Sequence, residues 1–400
     1  MKRVLIYMDR KQLKPTGGPI GYNYNLMSEL DKSENLNIEF LNGTSDDIQR
    51  VKDFIANIKS EFVKKAIVTL KHTFKYWRLL YGKTHTAPLD LNEYAAVHFH
   101  STYDMFSVRD SLKSYKGTVI LTSHSPTLLS RETYDGTKLI EKIMFPWVFG
   151  RLEEMDGFAF TRADKIIFPC REAIEPYTHC WSDFEQKFES KFLFLPTGIN
   201  ECMPKLSKER IREKYNIPMD AFLICYVGRH NQIKGYDRLV EIGKKEIKKP
   251  NTYIIVAGGQ GPIFAPKEER WIEVGWTNDP HSIIGAADVF LLPNRETYFD
   301  LILLEVLSIG MPIVASYTGG NKYFKKYETK SIQLFETDDE CEKEIDVVRN
   351  MNQDERQLCG RRNKEIFDEY FTSKMFCDNY VNIIENILGE KLTYRSKEDN

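Results

Sequence analysis

The stretch FLICYVGRHNQIKGYDRLVEI, residues 222–242, joins an apolar run to a helical pattern through a loop that holds Gly228 and Gly235. An unbroken apolar run of this length reads as a strand covered on both faces, and the helix that follows supplies one of the covers. The unit recurs along the chain. The first half offers VLIYM (4–8), LNIEFL (36–41), AAVHFH (95–100), TVILTS (118–123), KIIFP (165–169) and KFLFLP (191–196). The second half adds YIIVAGG (253–259), WIEVG (271–275), DVFLLP (288–293) and PIVAS (312–316). Apolar strands alternating with helices predict parallel sheets, so the fold class is α/β with two doubly wound, Rossmann-like domains.

A chain of 400 residues also exceeds what one ordinary core holds. The junction is expected near LPTGINECMP (195–204), rich in Gly and Pro between a strand and a new helix. The first domain then covers 1–198 and the second 199–372, with a C-terminal helix over 373–390 packing back on the first. Ligands of open α/β sheets bind outside the carboxyl ends of the strands. Two such domains facing each other across a cleft would place their chemistry on the loops after the strands.

The bulk composition excludes several classes. With 42% hydrophobic and 28% charged residues the chain is an ordinary globular protein. Fifty-six basic against 58 acidic residues leave a net charge of −2, which gives no general attraction to nucleic acid. The seven cysteines (170, 180, 202, 225, 341, 359 and 377) are scattered and never spaced CxxC. They read as reduced thiols of the cytosol, not as a disulfide frame or a zinc site. The start, MKRVLIYMDRKQ, has five apolar residues before Asp9, too few for a signal peptide. No stretch approaches the roughly 18 apolar residues of a spanning helix. The expected location is cytoplasmic, with a peripheral place on the inner face of the cell membrane conditional on one segment. That segment, IKSEFVKKAIVTLKHTFKYWRLLYGK (58–83), carries seven Lys or Arg against one Glu. Phe62, Ile67, Leu70, Phe74, Trp77, Leu80 and Tyr81 interleave with the charges at roughly helical spacing. A basic amphipathic helix can rest on an anionic leaflet. A helix covering the first sheet would look the same.

Several strand-end loops carry residues suited to chemistry. In KPTGGPIGYNYNL the paired Gly17 and Gly18 would let backbone approach a ligand, or form a plain turn. Arg229 and Lys234 lie between a strand and a helix start, where two cations make an anion site suited to a diphosphate. An exposed basic loop is the bland alternative. No GxxxxGK[ST] pattern occurs, against an ordinary nucleotide triphosphatase. VAGGQGP (256–262) suits a nucleotide against backbone, and EVGWTND (273–279) is a turn able to hold a base. In NRETYFDLILLEVLSIGMPIVASYTGG (294–320), Glu305 lies inside the nearly all-apolar run 301–309. A carboxylate there needs a partner, either a ribose diol or a Lys or Arg of the chain.

Taken in order, "GR…KG", "GGxGP", "GW" and "E…LLE…GxPIVAS…GG" resemble the donor domain of family 4 retaining glycosyltransferases of the GT-B fold. The resemblance covers nearly the whole chain and is strongest from Tyr226 to Gly320. It implies that Arg229 and Lys234 neutralise the diphosphate of a nucleotide sugar and that Glu305 holds the ribose. Gly17 and Gly18 of the first loop, Gly228, Gly259 and the helix start at Leu301 join the donor-binding set. His124, in LTSHSP, matches a histidine that reaches the donor sugar. The sequence departs from the family pattern at the first motif glutamate. Eight residues, not seven, separate Glu296 from Glu305, so the family's first glutamate aligns with Thr297 and a family glycine is replaced by Asp300. Either Glu296 shifts by one residue to hold the sugar, which is favoured, or Thr297 and Asp300 share the task. Asp300 also suits the N-cap of the helix beginning at Leu301. No cofactor and no metal is expected: there is no D-x-D motif, and His98 and His100, alternate on a strand, should point to opposite faces. The implied reaction is sugar transfer from a nucleoside diphosphate donor to a saccharide or lipid-linked saccharide, with retention, in surface polysaccharide or glycoconjugate synthesis. The alternative is a non-catalytic partner subunit of the same fold that stabilises or targets an active transferase.

Overall fold

A computed structural model of the chain describes residues 2–8, 18–32, 37–41, 60–327 and 331–392. Twelve strands are present among them, β1 (Val4–Tyr7), β2 (Ile38–Phe40), β3 (Ala96–Phe99), β4 (Thr118–Leu121), β5 (Lys165–Phe168), β6 (Phe192–Phe194), β7 (Phe222–Val227), β8 (Thr252–Ala257), β9 (Trp271–Gly275), β10 (Val289–Leu292), β11 (Ile313–Ser316) and β12 (Ile332–Phe335). The first eleven fall on the apolar runs of the sequence. β12, IQLF, did not stand out because it is four residues long, includes Gln333 and lies at a sheet edge.

The strands form two six-stranded sheets, ordered β2-β1-β3-β4-β5-β6 and β12-β11-β10-β7-β8-β9. Every pair is parallel, for example Val4↔Ala96 between β1 and β3 and Phe222↔Thr252 between β7 and β8. Parallel pairing needs a crossover between neighbours, and the helices supply it. The order reverses between β1 and β3 in one sheet and between β7 and β10 in the other. Adjacent loops leave the sheet in opposite directions at such points and open a crevice.

The helices used below are α1 (Gly18–Lys32), α2 (Glu61–Tyr81), α3 (Leu139–Met144), α4 (Pro146–Phe149), α5 (Tyr236–Glu246), α6 (Pro280–Gly285), α7 (Leu301–Ile309) and α8 (Ser373–Leu388). The chain divides into two units, one of Met1–Phe168, Tyr177–Leu195 and Asn379–Asn400, the other of Pro169–Pro176 and Pro196–Asp378. The core of the second unit sets Ile224, Val256, Leu291 and Val314 of the strands against Leu239 of α5 and Ile345. In the first unit Phe160, Phe168, Tyr177 and Phe184 pack edge to face. Burying such side chains contributes roughly 1.5–3 kcal/mol each, and holds the strand ends where the loops begin.

α7 is almost wholly apolar, LILLEVLSI, and ends at Gly310 with φ +78°. α2 begins at Ser60, whose side chain accepts from the Val63 amide. Its Tyr76, Leu79 and Leu80 are buried with Val148 and Phe149 of α4. Phe62, Leu70, Phe74 and Trp77 point outward instead, as do Leu139, Ile140, Ile143 and Met144 of α3 and Trp147 of α4. So α2 both covers its unit and leaves an aromatic stripe in solvent.

Candidate active site

At the reversal between β7 and β10, two loops are laced together. Gly235, which opens α5, has φ +66°, and a Cβ there would stand 1.7 Å from the Pro293 carbonyl oxygen. Only glycine allows that approach. The Arg295 amide donates to the Ile233 carbonyl at 3.0 Å, and Gly320 donates to the Thr297 carbonyl at 3.1 Å. Thr297 is consequently buried.

The same lacing brings Lys234 to Asp300. The lysine Nζ donates to Asp300 Oδ2 at 2.6 Å, and Asn294 Nδ2 donates to the same oxygen at 2.7 Å. The aspartate side chain is 11% exposed. Burial pushes its pKa up; Lys234 and Asn294 pull it back, and the net result is a carboxyl below the ordinary value. Asp300 does occupy the N-cap position of α7, with φ −82° and ψ 112°. The backbone of Ile302 also helps to hold its carboxyl down. Asp300 is thus the N-cap residue of α7, as expected, and at the same time the partner of Lys234 and Asn294. The loop also carries Arg229, which is exposed and makes no ion pair among the described residues, and Glu296, half-buried and likewise without one. Leu301, at the start of α7, is half-buried. Gly228 donates its amide to Ala257, and a Cβ on Gly259 would meet nothing within 4 Å.

Glu305 lies five residues into α7 and does have a protein partner, though neither Lys nor Arg. His281 Nε2 lies 3.0 Å from Glu305 Oε2. Cys202 completes the group: its sulfur, the imidazole and the carboxylate offer ligand atoms all within 4.8 Å of one another. Hydrogen bonding to Cys202, then to Glu305, raises the His281 pKa. Neither partner was visible in the sequence. His281 follows Pro280 at a helix start and Cys202 lies in the junction, and neither stands in a ligand-like spacing with Glu305.

The first unit places a histidine trio at its own reversal point. His98 Nδ1 is 3.0 Å from the Tyr380 hydroxyl on α8, and its Nε2 is 2.9 Å from Thr122 Oγ1. His100 Nδ1 is 2.8 Å from His124 Nε2. The rings of His98 and His100 are 4.1 Å apart, which corrects the expectation of opposite faces. Residues two apart on a strand share a face, so the alternation of β3, carried one residue past its end at Phe99, itself brings the two rings together. Burial, with repulsion from His124, lowers the His98 pKa to about 3; burial lowers that of His124 to about 3. Burial, then His98 and His124, holds His100 well below the ordinary value. His124 has φ +59°, a conformation few side-chain-bearing residues adopt. Gly18 begins α1 with φ +72°, and Gly17 lies outside the described residues.

The predicted set therefore falls into separate places. Arg229, Lys234, Glu296, Thr297, Asp300 and Leu301 come together on two loops, with Glu305 further along α7. His124 and Gly18 belong to the other unit.

Three comparisons bear on what such a chain is. Residues 221–352 match the family described as Glycosyl transferases group 1. Over 383 residues the chain is 23% identical to the O-antigen biosynthesis glycosyltransferase WclY of Escherichia coli, covering 94% of this chain and 96% of that one. Its fold resembles a sucrose-phosphate synthase from Thermosynechococcus elongatus, with a TM-score of 0.63, 15% identity and coverage of 97% and 100%. It also resembles Anabaena HepE in complex with UDP, with a TM-score of 0.60, 12% identity and coverage of 96% and 100%.

Proposed function

We propose that this chain, which belongs to the group 1, family 4-like glycosyltransferases of GT-B fold, moves a sugar from a nucleoside diphosphate donor to a saccharide or lipid-linked saccharide with retention of configuration. The observation that carries the reading is the pair of cations on the β7 loop beside the start of α7, with Glu305 further along the same helix. The departing diphosphate gathers negative charge, and cations placed beforehand stabilise it. Arg229 is free to meet a phosphate. Lys234 has three N–H donors; one is on Asp300, and the others remain for the donor. Glu305 accepts from the ribose hydroxyls, and His281 orients it. Glu296 is assigned to the sugar, with Thr297 and Asp300 holding the loop. In the first unit, His124 is the residue assigned to the reacting sugar. The acceptor hydroxyl attacks the anomeric carbon on the face the diphosphate leaves, and the leaving phosphate oxygen takes the hydroxyl proton. No metal takes part in that chemistry.

Surface polysaccharide assembly is the setting, supported by the whole-length likeness to an O-antigen enzyme. No helix among the described residues is long and apolar enough to cross a membrane. The outward stripe of α2, continued by α3 and α4, supports docking on an anionic leaflet, where each basic residue contributes about 1 kcal/mol. Replacing Lys64, Lys65, Lys71 and Lys75 with Gln should release the protein from anionic vesicles while sparing transfer to a short soluble acceptor. Equal co-sedimentation of both proteins would remove the membrane from the reading.

The Lys234–Asp300 pair favours a second reading, a non-catalytic subunit whose site is filled by its own carboxylate. Two measurements separate them. A thermal-shift screen of nucleotide sugars should show one strong stabiliser, by linkage. Release of nucleoside diphosphate from that donor should then rise on adding acceptor. Binding without any release, across a broad acceptor panel, would favour the partner subunit.

A further inference from the structure

We propose that Cys202, His281 and Glu305 form a three-ligand site for a borderline transition-metal ion, with zinc the best match, and that zinc there excludes the donor. The second half rests on the assignment of Glu305 to the ribose; the first does not. A thiolate, an imidazole and a carboxylate are the donors zinc takes, usually three of them with water in an open fourth place. Magnesium and calcium want oxygen ligands and have no use for this sulfur and nitrogen. Donors around a tetrahedral zinc stand about 3.3–3.6 Å apart, given bonds of about 2.0–2.3 Å. Here all ligand atoms already lie within 4.8 Å of one another, and one pair is at 3.0 Å. Movement of about 1 Å closes the set around an ion.

The three residues are tied to one another by surrounding hydrogen bonds, which sets the trio apart from a chance surface meeting. The Cys202 amide donates to Ser308 Oγ at 2.9 Å, on the same helix as Glu305. The Lys205 and Leu206 amides both donate at 2.8 Å to Ser282 Oγ, on α6 beside His281. Ser282 Oγ in turn donates to Asp279, the N-cap of α6, at 2.6 Å. Two serines thus clamp the Cys202 segment to both helices that bear the other ligands. All three ligands are half-buried, so an ion and a water can enter. Among the described residues no other group of three such side chains comes this close.

Zinc would draw on the Glu305 carboxylate that the ribose needs. Binding of the metal releases to solvent the thiol proton of Cys202 and the second ring proton of His281, and changes no oxidation state. The expected result is a zinc-inhibited transferase that works without metal.

The test titrates the full chain with cobalt chloride and then zinc chloride. Wild type should show a cobalt–thiolate charge-transfer band that zinc abolishes at one equivalent. Cys202→Ser and His281→Gln should lose the band and weaken zinc binding by at least the 10–100-fold typical of losing an outer-shell partner. Cys202→Ser should keep its melting temperature and nucleotide-sugar affinity, since a hydroxyl can take over the hydrogen bonds the thiol makes to His281 and the Asn200 carbonyl. A band of unchanged strength in both variants would overturn the site. The best donor from the thermal-shift screen is then titrated against wild type with and without zinc. Competition sustains the proposal. Independent binding of both, with the band intact, would leave the metal site standing and overturn the assignment of Glu305 to the ribose.

Discussion

The two reversal points occupy equivalent places in the two sheets and handle charge in opposite ways. Between β7 and β10 a full ion pair, Lys234 with Asp300, is kept charged by close contact and an amide donor from Asn294. On β3 and the loops after β3 and β4, beside the other reversal, three imidazoles are kept neutral by burial; His100 and His124 hydrogen-bond each other, and His98 the hydroxyls of Tyr380 and Thr122. The difference teaches that strand order locates a crevice and leaves its electrostatics to the loop residues. One crevice holds opposite charges together. The other holds no charge on its imidazoles.

The largest expected effect breaks the charged side. Lys234→Ala should lower turnover about a hundredfold, the usual loss when one preplaced electrostatic contact goes. It should also destabilise the fold by about 2–3 kcal/mol, because Asp300 is left buried without its cation. That figure is discounted from a fully buried pair because Lys234 is 27% exposed. Urea unfolding of Lys234→Ala and of Lys234→Ala with Asp300→Asn checks this: the second change should restore most of the stability and none of the turnover. Arg229→Ala should cost a similar factor in turnover with no measurable loss of stability, since its guanidinium is exposed. Near wild-type turnover at saturating donor would remove Arg229 from the site.

The neutral side should show itself in pH dependence. Each histidine of the trio has its folded pKa below the unfolded value of about 6.5. The stability from keeping them neutral is complete above that pH and fades as pH falls toward the folded values. Each excluded proton costs about 2 kcal/mol between pH 6.5 and 5.0. Melting curves over that range should fall steeply in wild type and less in His98→Gln. Asp300 fades only below about pH 4, since its pKa is lowered. The smallest effect is Glu305→Gln: about tenfold weaker donor binding, with a stability change near 1 kcal/mol from the weaker bond to His281. Calorimetric titration of the donor and a melting curve would separate the two.

Much of this architecture was readable from residues alone, for identifiable reasons. Strands buried on both faces are continuous apolar runs, so β1 to β11 were visible and the polar edge strand β12 was not. Arg229, Lys234 and Glu305 stood out because polar residues beside buried elements need partners. The partners themselves did not. Asp300 could be read as a cap, and only the folded loops show that Lys234 reaches it too. His281 and Cys202 meet Glu305 through tertiary packing, which leaves no local pattern. His98 and His100, two residues apart, share a face as strand periodicity requires, so their meeting was legible in the spacing.

His124 keeps φ at +59°. An ordinary side chain in the left-handed region costs roughly 1–2 kcal/mol, a cost that glycine avoids and asparagine tolerates. The ring's hydrogen bond to His100 and its packing against Tyr22 offset part of that cost, and the role proposed for it on the donor sugar would account for the rest. Directed evolution would feel that conflict. A library scored on heat resistance alone would drift toward residues at ease with this backbone, while one scored on turnover would hold the histidine. The divergence of the two lineages at this single position would report how far catalysis and robustness pull apart in this protein.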